Sequence, residues 1–281
     1  MTEPTSPPLA PDQLKATTYE VRGRTAVITL NRPHRGNAWT GRMHAEYRTL
    51  IERAERDPEV RVTVVTGAGW AFCVGGDAEA LSGHAARGDY DDGLRGDEAT
   101  PGYGYRPEFD HPLAFHYGLT KPVIAAINGP AAGIGLVLAC FADLRFAAPG
   151  VKLTAAHGKL NMPAEYGLSW LLPRLIGLSP AMDILLTSRV VLTEEAAGLH
   201  LVNQLHPADE LIDRTLAFAD ELAGTVSARS LTETRRQVYD DLHGDVGSSV
   251  DHSLALFSEM MGEPDFAEGV RAMREKRRPN F

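Results

Sequence analysis

The sequence predicts an α/β fold with a partly parallel sheet, and three observations carry that prediction. Short β-branched runs alternate with helical stretches between residues 17 and 180, the pattern of strands joined by crossover helices. From Pro180 onward the pattern is almost wholly helical. The chain of 281 residues is 43% hydrophobic and 23% charged, long enough for a sizeable core and ordinary in composition.

The elements follow in order. Residues 1–14 hold Pro4, Pro7, Pro8 and Pro11 and lack the basic start and apolar centre of a signal peptide, so they read as a disordered leader. Residues 17–30 read as a hairpin around Gly23. Thr40 caps a helix from Arg42 to Arg56 that ends at Asp57-Pro58. Val62–Thr66 is a short buried strand followed by Gly67-Ala68-Gly69. Pro122–Ile127 is a second, followed by Asn128-Gly129-Pro130, and Asp143–Ala147 a third. Leu168–Ile176 reads as an apolar helix. Further helices are expected at 179–188, 193–198, 207–224, 227–241, 248–260 and 264–276, with no internal repeat. Residues 83–111 break the pattern, with six Gly, five Asp and three Tyr and little apolar content. A mobile loop near a site and plain surface disorder fit that composition equally.

Composition excludes several classes. A net charge of −9 is a poor match for nucleic acid or an anionic membrane surface. No run of eighteen apolar residues is present, so no membrane span is expected. The two cysteines, Cys73 and Cys140, form no CxxC or ligand-like cluster. That argues against a disulfide framework or structural zinc, casts both as packing residues, and fits a reducing, cytoplasmic setting.

Two glycine motifs carry the chemistry. Phe72-Cys73-Val74-Gly75-Gly76-Asp77 and Asn128-Gly129-Pro130-Ala131-Ala132-Gly133-Ile134-Gly135-Leu136 each follow a strand and open a helix. Helix N-termini carry unpaired N–H groups, and glycine lets backbone approach a ligand closely. Two such turns side by side can aim two N–H groups at one oxygen, as an oxyanion hole does. Taken singly, each motif reads better as a turn that packs strand against helix. A dinucleotide reading of Gly133-Ile134-Gly135 fails because Leu138 stands where the third glycine belongs and Leu153–Ala156 holds no acid. Ser169 misses the GxSxG elbow by its last residue. Asp77 reads as a helix cap and Asp143 as structural.

These motifs resemble the crotonase (enoyl-CoA hydratase/isomerase) superfamily. So do Leu30-Asn31-Arg32-Pro33 with Asn37-Ala38, VTVVTGAGWAF from Val62, Lys121–Ala126, Pro173–Gly177, Thr193–Ala197 and Glu275-Lys276-Arg277. The resemblance covers residues 17–281. It implies a crotonase-like β-β-α spiral core over 15–195, with the acyl-CoA site, and a helical trimerisation region over 196–281. Homotrimers or hexamers are implied, with an acyl-CoA thioester as substrate and no cofactor beyond the coenzyme A it carries. The oxyanion hole would use the N–H groups of Gly76 and Ile134. Arg35, Ala38, Val74, Gly75 and Asp77 would hold CoA, with Lys276 meeting the CoA phosphates of a neighbouring subunit.

The acids depart from the hydratase pattern of two glutamates. The first position falls on Val137, which transfers no proton, and the second on His157. Eight residues further, Glu165 falls where related isomerases and a hydrolytic dehalogenase carry a catalytic aspartate. Glu165 precedes an apolar helix, a setting that raises a carboxyl pKa, and histidine suits proton transfer near neutrality. The alternative roles are a helix-terminal acid for Glu165 and a packing residue for His157. The resulting expectation is an enzyme that stabilises a thioester enolate, with Glu165 and His157 catalytic and double-bond isomerisation the simplest chemistry. Hydration by the same pair, hydrolysis or dehalogenation through Glu165, and a catalytically silent CoA-binding module are the alternatives.

Overall fold

The computed structural model describes residues 13–281, so the expected leader lies outside the described residues except for Gln13 and Leu14, of which Leu14 packs against the core. β1 (Thr17–Arg22) and β2 (Thr25–Leu30) form the hairpin, turning at Gly23 with φ +57°. α1 (Gly41–Arg56) starts where Thr40 accepts a bond from Met43 N at 3.2 Å, as its sequence position implies. β3 (Val62–Gly67) and β4 (Val123–Ile127) follow, the latter buried at every residue. That is what a parallel strand covered on both faces requires.

Six strands form the main sheet in the order β1-β2-β3-β4-β6-β9, with β6 at Leu144–Ala147 and β9 at Gln204–Leu205. Only the β1–β2 pair is antiparallel. A second sheet of three short strands has the order β5-β7-β8: β5 (Ala131–Ala132), β7 (Lys152–Thr154) and β8 (Val191–Leu192). Isolated bridges Trp39–Gly76 and Cys73–Ala131 extend this layer through both glycine motifs. Between motif and layer runs α3 (Ile134–Phe141), all eight residues buried. The strands of the second layer are too short to show a period of two, which is why local pattern alone does not find them.

α2 (Ala78–Arg87) follows the first motif. α4 (Leu168–Ile176) and α5 (Leu178–Thr187) pack on one another, and α6 (Thr193–Gly198) leads to β9. Both β9 and α7 (Leu211–Thr225) lie C-terminal to residue 195 and join the main sheet, α7 packing on β2, β3, β4 and β6. α8 (Ala228–Asp241) is anchored by Arg235, while α9 (Val246–Met260) buries none of its residues. α10 (Pro264–Glu275) closes the chain, with Glu268 bonded by Arg277 and by the N–H of Asn280.

Candidate active site

β3 and β4 are parallel neighbours, so the segments leaving their C-terminal ends emerge side by side. The two glycine motifs therefore meet. Ala132 N donates to Cys73 O at 2.9 Å, Cys73 N to Pro130 O at 3.1 Å, and Gly133 N to Thr154 O at 3.0 Å. Glycine is required here by close approach: a Cβ on Gly135 would lie 2.2 Å from Cys73 O, and one on Gly129 2.1 Å from Trp70 O. Asn37, fully buried, fastens the preceding turn to this pair by donating to Ala68 O at 2.9 Å and Ala71 O at 2.7 Å.

A cleft opens where the motifs meet, lined on this side by Val74, Gly75, Gly76, Asp77, Gly133 and Ile134. Trp39 N donates to Gly75 O and Asp77 N to Trp39 O, an extended pairing that turns the intervening Gly76 N–H away from Trp39. Ile134 is the first residue of α3, so its N–H precedes the helical ladder. Among the described residues neither N–H has a hydrogen-bond acceptor. Two free backbone donors at the mouth of a cleft, one at a helix N-terminus, form an environment suited to a negatively charged oxygen.

Glu165 lines the same cleft, with His157. Glu165 Oε2 lies 3.1 Å from the point a Cβ on Gly133 would occupy, which places the carboxyl beside the N-terminus of α3. That oxygen is buried and has no hydrogen-bond partner, and burial raises the carboxyl above its ordinary pKa. Glu165 also opens a three-residue 3-10 turn, Glu165–Gly167, that leads into α4 at Leu168, and no side chain caps α4. His157 is buried, opens a short 3-10 turn, and leaves Nδ1 unpartnered. Val137 sits inside α3 at 0% exposure and does not line the cleft.

The remaining residues singled out by the sequence divide. Val74, Gly75 and Asp77 line the cleft. Asp77 caps α2 by accepting from Glu79 N at 3.0 Å and pairs with Arg32 at 2.9 Å. Burial pushes its carboxyl up, but these bonds outweigh burial and hold it below the usual range. Ala38 is buried behind the cleft, and its carbonyl accepts from Arg32 at 2.7 Å. Arg35 is exposed and pairs with Glu79 at 2.7 Å. Lys276 is exposed at the C-terminus of α10, away from this chain's cleft. Cys73 and Cys140 are buried and free, and burial pushes the Cys73 thiol up to about 12, which suits packing rather than nucleophilic chemistry.

The 83–111 segment contributes directly. Its first residues complete α2, and Tyr90, Asp91 and Asp92 then line the cleft, whereas His111 lines a separate recess. The loop is docked on α1 by a glycine contact: a Cβ on Gly41 would lie 2.6 Å from Gly93 Cα. Tyr90 OH is hydrogen-bonded to Tyr166 OH, so the loop meets the residue following Glu165. Neither tyrosine stands out in the sequence, because the signal is a contact between segments rather than a local pattern. Among the described residues no three His, Cys, Asp or Glu side chains converge as a metal site, and no helix is long and apolar enough to cross a membrane.

A parallel sheet backed by a short second layer, with two glycine turns paired at a cleft, defines the crotonase class of α/β protein. The enoyl-CoA hydratase/isomerase family matches residues 20–281, and the chain belongs to that family. It is 36% identical over 270 residues to "Probable enoyl-CoA hydratase EchA12" of Mycobacterium tuberculosis, covering 92% of this chain and 90% of the relative. It is 32% identical over 260 residues to the 1,2-epoxyphenylacetyl-CoA isomerase of Escherichia coli, covering 90% and 93%. The crystal structure of an enoyl-CoA hydratase/isomerase from Mycobacterium paratuberculosis superposes with a TM-score of 0.78 at 29% identity, over 95% of this chain and 97% of that one.

Proposed function

We propose that the chain binds an acyl-CoA thioester, stabilises its enolate with the N–H groups of Gly76 and Ile134, and moves the proton with Glu165. One observation carries this reading: a buried, unpartnered carboxylate oxygen stands beside the helix N-terminus that supplies one of the two free donors. In that geometry Glu165 removes a proton from carbon next to the thioester carbonyl or its vinylogous position. The charge flows onto the thioester oxygen, where two preorganised donors meet it. Returning the proton at the other end of the enolate moves the double bond, with no net gain or loss of atoms. With valine at position 137, α3 offers no second carboxylate at the usual place, which favours isomerisation over hydration. The unpartnered Nδ1 of His157 in the same cleft supports an assisting role in proton transfer.

Coenzyme A enters as part of the substrate, held by Val74, Gly75 and Asp77 with the turn carrying Arg35 and Ala38. Lys276 of a neighbouring subunit meets its phosphates. Isothermal calorimetry with crotonyl-CoA tests the binding, and silence at millimolar thioester overturns the reading. A panel of enoyl-CoA thioesters followed by mass and chromatography tests the chemistry. Isomerisation moves the retention time at constant mass, while a product heavier by one water assigns hydration instead. His157→Ala is expected to slow turnover less than a change at Glu165 does. Equal losses would make His157 the principal group.

The proposal extends to a trimer or hexamer. α9 leaves Val246, Val250, Leu254 and Phe257 exposed, spaced along one face, and Met261 continues the stripe beyond it. Sedimentation equilibrium at micromolar protein is expected to give a multiple of three chains. A mass near the 30.5 kDa of one chain contradicts it.

A further inference from the structure

A second recess lies behind the cleft, and the two share Tyr166 as a wall. The recess is lined by rings: Phe109, Tyr117, Phe141, Tyr166, Trp170 and His243. Trp170 and His243 stack at 5.7 Å with 17° between planes, and Phe109 meets His243 edge-on at 5.6 Å. Phe141 ends the same helix whose first residue, Ile134, lines the cleft. At 1.5 Å per residue, α3 separates the two by about 10 Å.

From this we infer that the site takes acyl-CoA thioesters whose acyl group ends in an aromatic ring, the ring seated in this recess. The inference rests on the thioester reading above and specifies its substrate class. Tyr166 is the residue that lines both, so an acyl group anchored at Ile134 enters the recess past Tyr166. Rings prefer offset and edge-on partners at about 4.5–7 Å, the spacing these side chains already show one another. Arg174 lies 3.8 Å over Trp170 and Arg106 5.7 Å over Phe109, while the carboxylate of Glu108 also lines the recess, so charge of both signs borders the rings and the rings themselves set the preference.

Binding of saturated thioesters tests this without depending on the proton chemistry. We expect 4-phenylbutyryl-CoA to bind about tenfold more tightly than a straight-chain thioester of equal carbon number, by calorimetry on the full chain. Trp170→Leu and His243→Leu are each expected to erase most of that preference, bringing the two thioesters to within about twofold of one another. His243 is exposed beyond the end of α8, so its variant carries little folding risk. Equal affinities for the two thioesters, or a preference untouched by both variants, overturns the inference. Tighter binding of a trimethylammonium-ended thioester overturns it too. If the phenyl preference holds but no enoyl-CoA is turned over, the enolate reading falls and the recess assignment stands. If neither thioester binds, both fall.

Discussion

Glu165→Gln is expected to lower turnover of the best enoyl-CoA by about 10²–10⁴ while leaving thioester affinity intact. The amide keeps the shape of the side chain and removes its proton transfer. The pH profile carries a second signature. Burial raises the Glu165 carboxyl above the ordinary range, and a base must be ionised to act. Activity in kcat/KM therefore falls as pH drops through this raised value, and the acid limb lies above the ordinary carboxyl range. The same shift has a stability sign: a carboxyl with a raised folded pKa favours the fold most where it is protonated, and that contribution is lost as pH rises through the folded value. Wild-type turnover in Glu165→Gln would assign the proton elsewhere in the cleft, to His157, Asp91 or Asp92.

Arg235→Leu is expected to cost about 3–5 kcal/mol of stability, the range for removing one partner of a buried ion pair. Arg235 is 6% exposed and donates to Asp143 at 3.0 Å, to Leu119 O at 2.6 Å and to His116 O. Asp143 also accepts from Val123 N at 2.7 Å and from Tyr239 OH at 2.5 Å. The pair thus ties the start of β4, the segment before β6 and α8 together. Leucine fills part of the volume but removes the cation from the carboxylate, which keeps only its bonds from Val123 N and Tyr239 OH, and the donor from the Leu119 and His116 carbonyls. The check is the urea midpoint at fixed protein concentration, with an unchanged slope so that the shift reports stability. A loss under 1 kcal/mol would show that water replaces the guanidinium at little cost.

Much of the fold was legible locally. The hairpin at Gly23, the helix capped by Thr40, the strand entering Gly67, and α6, α8 and α10 all lie within two residues of their expected ends. Each has its own period, cap or breaker. The short strands β5, β7, β8 and β9 were not legible, since two or three residues display no alternation and exist only through their partners. The reading of residues 83–111 was undecided between loop and disorder. In the structure Gly93 packs against Gly41 beside the cleft, a contact between backbones with no side-chain signature.

For the site, the residue types alone determined that two glycine turns each follow a strand and open a helix, that valine stands at position 137, and that Glu165 precedes an apolar helix. The tertiary structure decided which groups meet. It set Glu165 Oε2 beside Gly133, left it without a partner, turned Gly76 N–H from Trp39, and brought Tyr90 across to Tyr166. The physical reason is the range of the interactions. Turns and caps are fixed by torsions within a few residues, whereas burial and unpaired polar atoms arise only when parallel strands and their crossovers stack distant segments around one cleft.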